Sequence, residues 1–415
     1  MTLRERISDP NIYRVYATTF ALGVAYGIAI AVLAVYLDQR GFSETQIGDL
    51  AVAFAFGIVT FSLPMGALIR RFSAKTTLAC SLFGYALTVG VFPLLDSFAS
   101  IAAVRFFDGA CSVGVWVSSE TILLCRAKRE HKAFVTSLYA VAIAVGYVVG
   151  PLLARACIAL LPIELAFAVS SAIAIVAGVY TALRVERDAS TPHSDAEIPR
   201  SASAESDRPF GETERASIGA LLYRIKNSCF ATFAYGYFQA SVVLFLPLYL
   251  MASKGIQKEQ TILIPAFFAG GMLLFSNYAG RMGDRVGHLA VMRVLGVVGL
   301  SMILSFVFLD AYFWMCAAVF VAGASLASIS PVSLALLGVS TPEYGRATSL
   351  YNTFYAAGML LGPPVSSRLF KTFGGATMLF HLAALWAAFV LFSIVFFRDD
   401  PAAQRPARAG ETASS

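Results

Sequence analysis

Apolar residues in this chain run in long blocks cut by short polar breaks, rather than alternating with polar ones. A membrane-spanning helix needs about 20 mostly apolar residues. Read between charge clusters, the blocks fall near 15–37, 46–69, 76–95, 98–125, 134–155, 159–183, 219–251, 260–282, 288–309, 311–338, 345–370 and 375–397, which predicts twelve spanning helices. The breaks read DQRGFSET, RRFSAK, RAKREHK, SKGIQKEQ, GRMGDRVG and TPEYGR. The first block is too long for the apolar core of a cleaved signal peptide and is taken as the first span. A hydrophilic stretch over 184–217, rich in Ser, Ala, Pro and mixed charge, separates the sixth block from the seventh. The predicted organisation is an all-α membrane protein. A six-helix bundle covers 1–183, a disordered linker 184–218, a second six-helix bundle 219–398 and a disordered tail 399–415.

The two halves share a sequence. SLYAVAIAVGYVVGP, from Ser137, returns 212 positions later as SLYNTFYAAGMLLGP, from Ser349, with seven of fifteen positions identical. Gly146, Gly150 and Pro151 recur as Gly358, Gly362 and Pro363. A membrane chain built twice from one half-chain is the pattern of secondary transporters whose repeats rock about a central site.

Composition agrees. Hydrophobic residues make up 58% of the chain and charged residues 13%, against about 25% charged in a soluble domain. Lipid is therefore its solvent, and the net charge of +6 gives no reason to expect a nucleic-acid partner. With the N-terminus in the cytoplasm, the short segments place fourteen Lys and Arg on that side and six on the other. This predicts a multi-pass protein of the cell (inner) membrane with both termini cytoplasmic. Cys80, Cys111, Cys125, Cys157, Cys229 and Cys316 show no C-x-x-C spacing, and His131, His193, His288 and His381 are scattered. No metal or cofactor is expected. Walker and G-x-S-x-G motifs are absent, which argues against ATP-driven pumping and against an enzyme.

Three stretches resemble the major facilitator superfamily. GRMGDRVGH matches its G-x-x-x-D-R-x-G loop through Gly280, Asp284, Arg285 and Gly287. RFFDGACSVG resembles its R-x-x-x-G motif through Arg105 and Gly109, and Gly146, Gly150 and Pro151 resemble the helix-five motif of its drug:proton antiporters. The resemblance implies alternating access about a central cavity, a small-molecule substrate, proton coupling and a monomer. The corresponding loop of the first half keeps Gly66 but carries Arg70 where the family has Asp. Small residues four apart also serve plain helix packing, so the glycine motif reads both ways.

An ionisable residue inside a span costs roughly 2.5–3.5 kcal/mol on insertion scales and is a functional candidate. Arg105, Asp108 and Glu120 lie on the fourth helix. At about 100° per residue they bound an arc that also holds Ser112, Trp116 and Ser119, with Glu120 about 22 Å along the axis from Arg105. The three are proton-coupling candidates, and Ser112, Trp116 and Ser119 cavity candidates. Alternatively, Asp108 only neutralises Arg105, and Glu120 only balances Arg126 or Lys128. The second half offers Tyr237, Gln239, Asn277, Tyr351, Asn352, Tyr355 and His381. Phe230, Phe233, Tyr235 and Phe238 add to an aromatic wall or face lipid. The leading expectation is proton-driven export of a drug, a siderophore-like metabolite or a sugar derivative. A proton-symport importer is the second, and a sensor without transport the third.

Overall fold

The computed structural model describes residues 7, 9–127, 132–186, 217–341 and 344–397; the linker and tail expectations fall mostly outside them. Twelve long helices account for nearly all the described residues: α1 Pro10–Gln39, α2 Glu44–Phe72, α3 Ala74–Val91, α4 Phe98–Arg126, α5 Lys132–Leu160, α6 Glu164–Arg184, α7 Ile218–Lys254, α8 Ile264–Val286, α9 His288–Phe308, α10 Tyr312–Ser340, α11 Tyr344–Phe373 and α12 Gly375–Val395. Capping side chains start several of them. Asp9 caps α1, Ser43 forms a capping box with Gln46 on α2, and Ser97 and Ser217 cap α4 and α7.

Eleven of the twelve are long and apolar enough to cross a bilayer. The exception is α11, thirty residues long but carrying Ser349, Asn352, Thr353, Ser366, Ser367, Arg368 and Lys371. It lies against α7, α2 and α12, so part of its surface is covered by protein. α10 contains a π turn over Gly323–Ala327.

The helices form two bundles of the same design. α1 packs on α5 and α6, α2 on α4, and α3 on α6; α7 packs on α11, α8 on α10, and α9 on α12. The bundles meet along α2 with α11, α5 with α8, and α1 with α7. One end of the molecule, the linker face, carries the α6 terminus and the α7 start. At the opposite face, Gly48 of α2 comes so close to α11 that an added Cβ would lie 2.7 Å from Ser367 Oγ and 3.0 Å from the Pro363 carbonyl oxygen.

In lipid the apolar effect does not drive helices together, so close backbone approach does. A Cβ on Gly146 would lie 2.7 Å from the Gly23 backbone, and one on Gly150 2.7 Å from that of Gly27. The second copy works alike: a Cβ on Gly358 would strike the α7 backbone at Phe233 and Tyr237, and one on Gly362 the backbone at Tyr237. The repeated glycines are thus contact points of α5 on α1 and of α11 on α7.

The duplication extends further, at a spacing of 214. Gly57 and Gly109 lock α2 to α4 as Gly271 and Gly323 lock α8 to α10. At the opposite face Arg40 pairs with Asp96, and 214 positions later Lys254 pairs with Asp310 at 2.9 Å. Each pair ties the first interhelical turn of its bundle to the third. The aspartates are mostly exposed, so the pairs fix geometry more than they stabilise.

At the linker face a polar clasp joins α1, α4 and the end of α6. Arg126 binds Asp9 at 2.9 Å, Arg14 binds Glu186 at 3.0 Å, and the Asn11 amide donates to Glu186 at 3.0 Å. Partial burial pushes the Asp9 carboxyl up, but the Asn11 backbone N–H and Arg126 outweigh it and hold it below its ordinary range. Hydrogen bonds from Arg14 and Asn11 hold Glu186 low as well.

Two turns complete the picture. Gly287, between α8 and α9, has φ +102°. The same place in the first half is taken by Ser73 at φ +80°, ψ 152°, a region costing a side-chain-bearing residue about 1–3 kcal/mol. Ser73→Gly is therefore expected to raise stability by roughly 1 kcal/mol, net of the weakened cap; thermal unfolding in detergent checks it, and an unchanged or lower midpoint contradicts the strain. Gly150→Val is expected to abolish monodisperse protein on size-exclusion chromatography. Gly280→Ala, where nothing lies within 4 Å of the added methyl, should behave as wild type.

Candidate functional site

A cavity of about 260 Å³ lies between the bundles. The first half contributes Tyr26, Gly27, Ile30 and Leu33 from α1, Ala51, Phe54 and Ala55 from α2, Arg105 and Trp116 from α4, and Tyr147 from α5. From the second half come Gln239, Ala240, Val242, Val243, Leu244 and Pro247 of α7, Phe268 and Met272 of α8, Val319 of α10, and Tyr355 and Met359 of α11. Because α5 sits backbone-to-backbone on α1, Tyr26 and Tyr147 converge, with ring centroids 5.9 Å apart. Tyr26 also meets Phe54, Trp116 and Tyr85 at centroid separations of 6.3, 6.5 and 5.7 Å. An aromatic shell results.

Arg105 is the one charged residue in that wall among the described residues. Its Nη1 donates to Asp108 Oδ2 one turn on, and its guanidinium carbon lies 4.3 Å from the Phe54 ring centroid, a cation–π contact. Asp108 is 3% exposed and sits behind Arg105 in a small second cavity with Tyr85, Thr88 and Phe167. Asp108 Oδ1 and Arg105 Nε are buried without a hydrogen-bond partner among the described residues. Facing the pair are Tyr26 of α1 and Tyr85 of α3, and no second carboxylate lines either cavity among the described residues.

The sequence-predicted residues separate into three groups. Arg105, Trp116, Gln239 and Tyr355 line the cavity together, with Asp108 directly behind. Tyr355 donates to Gln239 Oε1 at 2.9 Å and stacks on Tyr235.

A second group is buried within one bundle. Tyr351 donates to the Ser330 carbonyl at 3.0 Å and contacts Ser333 Oγ at 2.9 Å, bonding α11 to α10; Ser119, 214 positions before Ser333, likewise neighbours Tyr139. The tyrosine of each copy thus serves its own bundle. Tyr237 Oη lies 2.7 Å from His381 Nε2, between α7 and α12. Ser112 is 2% exposed and outside the wall. Phe230 packs on Phe389 and Phe392, Phe238 on Trp386, and Phe233 against Tyr237.

The third group lies away from the cavity. Asn277 and Asn352 are exposed and outside its wall, because rotation about α8 and α11 turns other residues inward. Glu120, near the linker-face end of α4, is exposed and not gathered with Arg105 and Asp108, being separated by about four turns. The sequence-predicted loop residues lie in the last turns of α2 and α8: Arg70 and Arg285 are exposed, and exposed Asp284 faces His288 at 3.3 Å. Neither Asp284 nor Arg285 forms an ion pair with the other bundle among the described residues.

Tyr26, Phe54, Tyr147, Phe268, Met272 and Met359 were missed. A signal existed for two of them: Tyr147 follows Gly146 and Tyr26 precedes Gly27, and a side chain beside a backbone contact is held in a fixed direction.

Tyr351→Phe is expected to cost roughly 1 kcal/mol of stability, the value of a typical buried hydrogen bond, while leaving the cavity intact. Thermal unfolding beside a ligand titration checks this; a selective loss of binding would place Tyr351 in the site instead.

Comparison with known proteins gives a consistent family. The model of the Major Facilitator Superfamily matches residues 15–227 and 228–415. The uncharacterized MFS-type transporter MJ1560 of Methanocaldococcus jannaschii is 20% identical over 390 residues, 93% of this chain and 96% of that one. The uncharacterized MFS-type transporter YfkF of Bacillus subtilis (strain 168) is 22% identical over 377 residues, covering 89% and 92%. Among solved structures, a bacterial homolog of the human lysosomal transporter Spinster, inward-facing and occupied, superposes with TM-score 0.75 at 11% identity over 94% of this chain and 97% of that one. The nucleoside transporter NupG gives 0.72 at 14% identity, over 94% and 100%.

Proposed function

Because this chain belongs to the Major Facilitator Superfamily, we propose that it is a secondary transporter carrying a small organic solute across the cytoplasmic membrane by alternating access, coupled to protons through Arg105 and Asp108. The basic residues of the short loops favour a cytoplasmic linker face. The observation that carries the coupling is a buried carboxylate whose one ionic partner among the described residues also lines the central cavity.

The coupling follows from desolvation. With Arg105 on Asp108, the two charges cancel. If a solute draws the guanidinium away, an ionised Asp108 is left buried and unpaired, a state costing about 3–5 kcal/mol. Taking up a proton removes that cost. Solute and proton then bind together, which is symport.

Antiport is the reading that the helix-five glycines first suggest. Those glycines have a packing role in both bundles, so they do not speak to direction. Antiport of a cation needs a carboxylate facing the solute, and Asp108 stands behind Arg105 rather than in the main wall. The cavity therefore favours proton symport of a solute with an anionic or strongly accepting group. Glu120 is left to a local role at the linker-face end of α4.

Proteoliposomes in weakly buffered medium test this. Panels of organic anions, organic cations and sugars are added in turn while the outside pH is followed. Solute entry by symport makes the medium more alkaline, and antiport makes it more acidic. Asp108→Asn is expected to abolish the pH change with the protein still folded. Acidification on solute entry, or an unaltered proton movement in Asp108→Asn, overturns the proposal.

A further inference from the structure

The two-fold design of the cavity is broken at one pole, and that break describes the ligand. The wall is built from matched positions. Phe54 and Ala55 of α2 correspond, 214 positions on, to Phe268 and Ala269 of α8, and Tyr147 corresponds to Met359. At the same spacing Arg105 corresponds to Val319, and Asp108 to Ala322. Val319 lines the same cavity from the other side. Part of the frame is matched; the charge is on one side only.

The chemistry of that pole is cationic. Arg105 is the wall's one charged residue among the described residues, and its Nε is a buried donor without a partner. In the empty cavity Asp108 accepts from Arg105 through Nη1 alone, leaving the other donors to receive an arriving ligand that then draws the guanidinium off Asp108. A guanidinium is a planar fork of donors, which suits a planar two-oxygen anion.

The opposite pole donates too. Tyr355 donates its hydroxyl hydrogen to Gln239 Oε1, taking one of that oxygen's two lone pairs, and the amide NH₂ remains to donate. Between the poles stand aromatic faces from both bundles: Tyr26, Trp116 and Tyr147 on one side, Phe268 and Tyr355 on the other. Aromatic faces placed this way receive a flat ring. A wall with a cation and, among the described residues, no carboxylate disfavours an ammonium group.

We infer that the cavity binds a small ring-bearing monocarboxylate, with its carboxylate on Arg105, its ring between the facing aromatic walls and an acceptor atom near Gln239. This rests on the transport reading only for its biological setting; the binding chemistry stands by itself. Asp108 is a positioning residue in this site, because it orients the guanidinium and touches no ligand.

The test uses the full chain in detergent with benzoate, nicotinate and indole-3-acetate as probes, against benzamide, nicotinamide and benzylamine. Binding is read by thermal shift and by the fluorescence of Trp116 in a Trp314→Phe, Trp386→Phe background. The carboxylates are expected to raise the unfolding temperature and alter Trp116 emission, with each amide at least tenfold weaker, as loss of a charge-assisted hydrogen bond requires. Arg105→Lys keeps the charge but loses the planar fork and should weaken carboxylate binding about tenfold. Arg105→Gln with Asp108→Asn removes both members of the buried pair, so it should fold yet lose the preference for carboxylate over amide. Equal binding of acid and amide, preference for the amine, or failure of all three carboxylates to bind folded protein overturns the inference. Carboxylate binding without uptake in proteoliposomes would sustain it and contradict the transport reading. Uptake of benzylamine alone would do the reverse.

Discussion

Backbone contact between helices at paired glycines is the constraint on which this structure rests. Lipid chains are as apolar as leucine, so twelve helices in a bilayer gain little by hiding leucines from lipid. What remains is close packing, and it is strongest where Cβ atoms are missing. Gly23 and Gly27 against Gly146 and Gly150 bring α1 and α5 into backbone contact; Gly358 and Gly362 do this for α11 on α7. Gly57 with Gly109 and Gly271 with Gly323 add the α2–α4 and α8–α10 contacts. Each bundle thereby becomes a rigid unit, and the side chains between the units are held where the glycines leave them.

The cavity inherits that rigidity and departs from the symmetry at one point. Part of its frame repeats across the two bundles, Phe54 and Ala55 as Phe268 and Ala269, whereas Arg105 and Asp108 have Val319 and Ala322 as counterparts. A buried ion pair is weak support for stability, since its desolvation cancels much of its attraction. Kept beside a central cavity, it is better explained as something the protein uses. Removing one partner is costly, and that cost is what proton uptake relieves in the proposed cycle.

The fold was readable in the sequence because lipid constrains it so tightly. Blocks of about twenty apolar residues can only be spanning helices, and Ser-Leu-Tyr through Gly-Pro announced the duplication. The rest of the duplication was hidden: Arg40–Asp96 and Lys254–Asp310 share an acid and a base but no surrounding motif, so only geometry pairs them. The site was less legible. The helical wheel of α4 gave the angles among Arg105, Asp108 and Trp116, yet Glu120 falls outside because distance along the axis matters as much as angle. Asn277 and Asn352 looked right by polarity, but nothing in residue type fixes how a helix is rotated about its axis. Tyr351 and Tyr237 satisfy their hydroxyls inside their own bundle, on Ser330 and His381. The comparisons established the family but not the drug-antiporter branch, and the glycines of that motif lie at the α1–α5 and α7–α11 contacts.

The central proposal is that a solute anion and the Asp108 carboxylate compete for one guanidinium, so that each anion moves with one proton. The most direct measurement is uptake of a radiolabelled ring carboxylate into proteoliposomes in which the pH gradient and the membrane potential are set independently. One anion moving with one proton carries no net charge. Uptake should therefore be driven by an inward proton gradient at zero potential and be indifferent to a potential imposed at equal pH. Accumulation driven by potential alone, or uptake accelerated by a proton gradient of the opposite sense, would contradict the account.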